Sequence, residues 1–341
     1  MSKTIPVEDA VGMVLPHDVT EIRKGEFKGC AFRKGHIIKP EDVEHLKRLG
    51  KENIYVLELG ADDIHENEAA EKLAAALAGQ GVKSSGEPTE GKLNLIAERD
   101  GLLKVDTDGL YRFNLLGEVM CATLHTNLVV AEGDQVGATR LIPLVSKRPV
   151  VEEAVKIAEG QNGLLKVLPI RKAKAGLVIT GSEVFHGRIK DAFEPVLREK
   201  LEKIGSEVVA VKFAPDDVGL ISDAIKECLA EGADLIITSG GMSVDPDDVT
   251  RLGIAEAGAT NKVYGTPVLP GAMFMVARIG EVPVLGLPAC GMFHKITVFD
   301  LTLPRILAGE QISREDLAQM GHGGLCQQCK TCTYPHCGFG K

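Results

Sequence analysis

The residues best suited to chemistry in this chain are four cysteines near its C-terminus. Cys326, Cys329, Cys332 and Cys337 are spaced C-x2-C-x2-C-x4-C within GLCQQCKTCTYPHCGFGK. Thiolates three positions apart turn back onto one metal centre, so the spacing is a metal-binding signal. The first three follow the spacing of a four-iron, four-sulfur run, but the fourth comes one residue late and Gly338 stands where a proline usually follows. Zinc held by four thiolates, with His322 and His336 in reserve, is the competing assignment. The spacing leans towards iron–sulfur and leaves both open.

A second set lies upstream in three loops, 180–187 (TGSEVFHG), 213–219 (FAPDDVG) and 238–250 (TSGGMSVDPDDVT). Gly240 and Gly241 let backbone N–H groups approach a ligand with no Cβ in the way, and Thr238, Ser239 and Ser243 add hydroxyl donors. That is the composition of a phosphate or oxyanion cradle. Asp245, Asp247 and Asp248 follow at once. Three carboxylates beside a phosphate are unfavourable unless Mg²⁺ intervenes or the ligand also offers N–H donors. The aminopyrimidinone edge of a pterin offers them.

The elements that must position these loops alternate from Ala175 onward. Runs 177–179, 208–211, 235–237 and 282–287 are apolar and rich in β-branched residues, as strands are. Between the first three, Phe193, Leu197, Leu201 and Ile204, then Val218, Ile221, Ile225 and Cys228, recur at helical spacing. Strands apolar on both faces, separated by amphipathic helices, predict an α/β domain with a mostly parallel sheet in three layers. Ligands in such folds bind at the carboxyl ends of the strands, where all three loops fall.

The first half of the chain reads as β-rich. Strands are expected at 11–15, 30–32, 37–38 and 53–57, a helix at 41–49 and a linker helix at 67–78. Further strands are expected at 93–97, 102–105, 110–113 and 128–130, with Asp100-Gly101 and Asp108-Gly109 as hairpin dipeptides. A helix from Pro149 to Gly160 and a solvated basic connector at 171–174 lead into the α/β part. The expected division is 1–65, 66–172, 173–311 and a cysteine-rich tail at 312–341.

TGSEV at 180–184, PDD at 215–217 and TSGGMSVDPDD at 238–248 resemble the molybdenum-cofactor biosynthesis domain of molybdopterin adenylyltransferases and molybdenumtransferases. The likeness covers about 175–308, and VEDAVGMVL at 7–15 is more loosely similar to the start of the molybdenumtransferases. The resemblance implies binding of molybdopterin or the finished molybdenum cofactor, and an enzyme that inserts molybdate with Mg²⁺. It assigns catalytic roles to Asp248, Asp217 and Glu183. It assigns binding to Thr180, Gly181, Ser182, Asp216, Thr238, Ser239, Gly240, Gly241, Ser243, Asp245, Pro270, Gly271 and Pro288. The chain departs from the family pattern at Ser182 and Asp245, at Leu269 and Ala272 where lysines are usual, and at Cys290, which replaces an asparagine. Those losses favour a second expectation, a non-catalytic carrier or sensor of the cofactor that docks to a partner through its metal tail. The partner class is a molybdoenzyme or another cofactor-biosynthesis protein, and a homodimer fits the family.

Composition narrows the field. The 39 Lys+Arg against 48 Asp+Glu give a net charge of −9, which repels nucleic-acid phosphate and anionic lipid. No apolar run approaches the roughly 18 residues of a membrane span, and the first ten residues lack a secretory pattern, so the cytoplasm is the expected compartment. Cys228 lies on an apolar helix face and is expected in the core; Cys290 is expected as a buried thiol without an activating base. Arg33-Lys34-Gly35 reads as a solvated hairpin tip. The tail's sizeable apolar groups, Leu325, Tyr334 and Phe339, are too few to order it alone, which predicts folding on metal binding.

Overall fold

Apolar runs become the strands of a six-stranded sheet that carries the upstream loops. The computed structural model describes residues 2–23, 27–57, 61–243 and 245–341. They form two compact units, one of 1–99, 103–124 and 130–167, the other of 100–102, 125–129 and 168–341.

In the first unit, Ser2–Pro6 pairs antiparallel with Asn53–Leu57, and Val19–Arg23 with Phe27–Phe32. Val7, Leu15, Phe32, Ile38 and Leu46 are buried together beside the helix Pro40–Arg48. A four-stranded antiparallel sheet follows, in the order Val82–Ser84, Lys92–Ala97, Gln135–Leu141, Val119–Thr123. The helices Glu66–Leu77 and Arg148–Glu159 contribute Leu73, Leu77, Val151 and Ala154 to its core.

Three expectations fail in this unit. Residues 110–113 belong to the helix Thr107–Leu115, because the Asp106 carboxylate accepts the Gly109 N–H at 3.0 Å and caps it. Asp108-Gly109 is therefore the first turn of a helix, not a hairpin. Residues 11–15 and 37–38 reduce to one antiparallel bridge, Val14 to Ile37. Lys34 is not simply solvated: its Nζ donates to His65 Nδ1 at 2.8 Å, and His65 Nε2 donates to the Pro16 carbonyl at 2.6 Å.

In the second unit the strands are β1 (Lys174–Thr180), β2 (Glu207–Ala214), β3 (Leu235–Ser239), β4 (Thr260–Tyr264), β5 (Met275–Ile279) and β6 (Val282–Leu287). The sheet order is β2-β1-β3-β6-β5-β4. β2, β1, β3 and β6 run parallel, whereas β5 and β4 add antiparallel at one edge. The sheet is thus mostly parallel, as expected, with two strands that the sequence pattern did not show. Only Gly280 and Glu281 link β5 to β6, and so short a link permits only antiparallel pairing. β4, at the edge, is largely polar and exposed, so it lacks an apolar signature.

The helices are α1 (Phe193–Lys203), α2 (Val218–Ala230), α3 (Thr250–Glu256), α4 (Val298–Leu307) and α5 (Arg314–Gln319). Leu177, Ile179, Leu235, Ile237 and Leu285 face α1 and α4 on one side of the sheet. Val178, Ile236 and Val284 face Ile221, Ile225 and Cys228 of α2 on the other. Alternate residues of each strand therefore feed opposite cores, which makes three layers. Cys228 is fully buried, as expected.

Arg171 is exposed, as expected of the connector, and is also tied down, its Nη1 lying 2.8 Å from Asp234 Oδ1, which also accepts the Lys174 N–H at 2.9 Å. The tail borrows the core of this unit: Phe339 is 4% exposed among the residues of α4, with Tyr334, Cys326 and Cys337 packed around it. Counting the tail's own apolar groups misses that support. Among the described residues, no helix is long and apolar enough to cross a membrane.

Candidate functional site

The chain leaves β1 towards β2 on one side, then returns to place β3 on the other side of β1. The adjacent ends of β1 and β3, at Thr180 and Ser239, are thus a topological switch point, where an open α/β sheet leaves a crevice. Thr180 Oγ1 donates to the Ser239 carbonyl at 2.8 Å and accepts from Thr250 Oγ1 at 2.8 Å. All three residues are buried, so this chain of hydroxyls joins β1, β3 and the start of α3 from inside.

Gly240 and Gly241 follow at φ +84° and +56°. A Cβ on Gly240 would lie 2.6 Å from the Thr180 carbonyl oxygen, and one on Gly241 would lie 2.2 Å from Thr250 Oγ1. Both glycines are therefore required by the protein's own packing and by their left-handed backbone. The expectation that a side chain here would chiefly obstruct a ligand is corrected: it would first collide with Thr180 or Thr250.

The loop beyond is tied down by residues that the sequence reading missed. Tyr264 Oη donates to the Met242 carbonyl at 2.7 Å, and an Arg251 guanidinium N–H to the Ser243 carbonyl at 3.3 Å. The same guanidinium lies 4.2 Å from the centroid of the Tyr264 ring, within cation–π range. Arg251, in the first turn of the helix after the aspartates, was the one available signal. Tyr264 comes from the unforeseen β4 and had none.

The loop after β3, the segment 269–273 before β5 and residues 288–290 at the end of β6 border a groove of about 540 Å³. Of the expected site residues, the structure brings Gly240, Gly241, Ser243, Asp248, Pro270, Gly271 and Pro288 together along it. Cys290 also lines it, its thiol pushed up by burial, away from the reactive thiolate. Leu325, Cys326 and Gln328 of the tail form the remaining wall. Among the described residues lining the groove there is no Lys or Arg. Binding therefore has backbone N–H groups, the Ser243 hydroxyl, the Gln328 amide and the Asp248 carboxylate to draw on.

The other expected residues are placed elsewhere. Thr238 and Ser239 are fully buried and build the floor rather than face the groove. The Ser239 hydroxyl has no hydrogen-bond partner among the described residues. Asp245 is exposed; its N–H approaches Asp248 Oδ2 at a long 3.4 Å. Gly181, Ser182 and Asp216 join the first two loops: Gly181 N–H donates to the Ala214 carbonyl at 3.1 Å, Ser182 N–H to Asp216 Oδ2 at 2.8 Å. Asp217 caps α2, accepting the Leu220 N–H at 2.9 Å. Glu183 folds back over Gly181, whose Cβ position would lie 3.0 Å from its Oε1. Of the three residues expected to be catalytic, Asp248 alone lines the groove.

Cys326, Cys329, Cys332 and Cys337 line a second cavity, of about 390 Å³. All four are free thiols. Among the described residues, no group of three or more His, Cys, Asp or Glu is placed to hold a metal ion.

Residues 176–308 match a family described as a probable molybdopterin binding domain, and residues 4–58 match a domain of unknown function (DUF8806). A CinA-like protein of Mycobacterium sp. (strain MCS) is 37% identical over 83 residues, covering 24% of this chain and 20% of that protein. The chain thus matches about a fifth of the length of that relative. Among solved structures, the molybdopterin biosynthesis enzyme MoaB from Thermus thermophilus is 23% identical, with a TM-score of 0.34 over 40% of this chain and 98% of that one. The molybdopterin biosynthesis MoeA protein from Pyrococcus horikosii is 17% identical, with a TM-score of 0.34 over 72% of this chain and 80% of that one.

Proposed function

Residues 176–308 match the probable molybdopterin binding domain family, and from that premise we propose that the groove beside the ends of β3 and β6 binds molybdopterin or the finished molybdenum cofactor. The observation that carries the proposal is the groove itself, about 540 Å³ beside the carboxyl ends of the parallel strands β3 and β6, lined by Gly240, Gly241, Ser243 and Asp248. Backbone N–H groups and the Ser243 hydroxyl suit the phosphate; Asp248 suits the N–H donors of a pterin.

The more specific activity is that of a molybdenumtransferase, which inserts molybdate into the dithiolene of an activated pterin. A Mg²⁺ ion would take Asp248 together with substrate oxygens, in the pattern of one or two carboxylates plus phosphate that this ion favours. Its chemistry there would be to neutralise and orient the anionic substrate. Glu183 and Asp217 would act from outside the groove, through Gly181 and through α2. The cytoplasm is the proposed compartment, a homodimer the proposed assembly, and iron–sulfur or zinc the proposed occupant of the tail.

A second function, a cofactor carrier, is favoured by one observation: the described lining of the groove holds no cation where phosphate and molybdate would need one. One experiment separates the two. The protein is incubated with adenylylated molybdopterin, molybdate and Mg²⁺, and AMP release is followed. Release that is lost in Asp248→Asn supports the transferase. Tight binding with no release above background supports the carrier, and absence of both rejects the site.

A further inference from the structure

The cavity lined by the four tail cysteines has its own internal logic. Gln328, between Cys326 and Cys329, sits at φ 51°, a left-handed conformation that a non-glycine residue holds only where its surroundings enforce it. Cys326 and Cys329, on either side of that turn, both line the cavity. Phe293, Ile296, Tyr334 and Phe339 supply apolar walls, and exposed Lys295 and Lys330 supply positive charge beside the thiols. The first three cysteines keep the C-x2-C-x2-C spacing of a four-iron, four-sulfur run. All four line one space of about 390 Å³, which suits a cluster in which each iron takes one cysteine.

This cavity adjoins the groove. Leu325, Cys326 and Gln328 line both. The Leu269 N–H donates to the Gly324 carbonyl at 2.8 Å, and the Cys326 N–H to the Leu269 carbonyl at 2.9 Å, forming a parallel bridge between the segments at Leu269 and Leu325. Leu269 leads directly into Pro270 and Gly271 of the groove wall.

We propose that Cys326, Cys329, Cys332 and Cys337 bind an iron–sulfur cluster, and that the cluster, through Cys326 and the Leu269–Leu325 bridge, holds the adjoining wall of the groove in its binding form. Cluster binding is ligand exchange: at each iron an S–Fe bond replaces the bond to the solvent or carrier ligand that leaves, and each thiol S–H gives its proton to solvent. The protein itself is neither oxidised nor reduced. Loss of the cluster releases Cys326 and frees the bridge, so ligand binding in the groove follows the state of the cluster. The second half of this proposal rests on the pterin-binding function, and the first half does not.

The full chain is purified without oxygen, stripped with a chelator, and reconstituted with iron salts and sulfide or, in parallel, with zinc alone. About four iron and four sulfide per chain are expected, with broad visible absorption that air bleaches. The exposed pair Cys329→Ser/Cys332→Ser should lose the iron, and Cys30→Ser should retain it. Hydrogen exchange at the Leu269 and Cys326 amides should slow on loading, and molybdopterin should bind the loaded form about tenfold more tightly. Stoichiometric zinc with no cluster formed, or iron retained by the double variant, overturns the cluster. Equal amide exchange in the two forms overturns the coupling. If neither form binds molybdopterin while iron and exchange behave as expected, the pterin function fails, and the cluster and its hold on the wall stand.

Discussion

Gly241 offers the sharpest check on how the groove is built. Replacing it with Ala places a Cβ at φ +56°, 2.2 Å from Thr250 Oγ1 and 3.2 Å from Thr250 Cβ. The left-handed backbone costs about 1–2 kcal/mol for an L side chain, and the overlap adds about 1–3 kcal/mol of overpacking. Thr250→Ala alone removes the hydroxyl that Thr180 Oγ1 accepts from, a loss of about 1 kcal/mol. In the double variant the overlapping oxygen is gone. The remaining approach to the Thr250 Cβ needs a shift of only a few tenths of an ångström. Independent effects would sum to about 3–6 kcal/mol, whereas relief of the overlap leaves about 2–3 kcal/mol, a coupling of about 1–3 kcal/mol. Urea unfolding followed by circular dichroism measures all four corners of the cycle, alongside molybdopterin binding. Additivity within about 0.5 kcal/mol would refute the steric account. So would Gly241→Ala that melts like the wild type yet no longer binds, because the glycine would then face the ligand.

Tyr264→Phe removes the hydrogen bond to the Met242 carbonyl; molybdopterin affinity should fall about fivefold, equivalent to about 1 kcal/mol, with little change in melting temperature. Asp106→Ala removes the cap of the helix Thr107–Leu115 and should cost the first unit about 1 kcal/mol, read by denaturant unfolding. The pH dependence of the first unit follows from its buried histidines. Burial, with Lys34 beside it, holds His65 below its usual value near 6.5, and burial with Lys51 does the same for His17. Below pH 6.5 the unfolded chain therefore binds protons that the folded unit refuses, so stability falls as pH falls from there towards the lowered values, with a slope of up to about 1.4 kcal/mol per pH unit for each group. His65→Gln should flatten that slope in melting curves taken from pH 7 to 5; an unchanged slope would contradict the assignment.

Much of the α/β unit was legible from the sequence, because its signals are local. Helical spacing at Phe193, Leu197 and Leu201 and short β-branched runs each act within one element, and burial on both faces makes central strands apolar throughout. The three loops could be placed at one edge of the sheet because parallel connectivity puts every strand's carboxyl end on the same side. The cysteine spacing likewise pointed to one shared space, and the four cysteines line a single cavity. Tertiary structure decided what depends on partners distant in the chain. Residues 110–113 look like a strand until the Asp106 cap is seen to win. β4 is polar at the sheet edge and reveals itself only by pairing with β5. The role of Gly241 was ambiguous because a glycine states that a Cβ is absent, not which atom would have met it; that atom is Thr250 Oγ1, nine residues on. The meeting of Cys326 with Leu269 could not be read from either segment, since a hydrogen bond between two backbones leaves no mark on side-chain types.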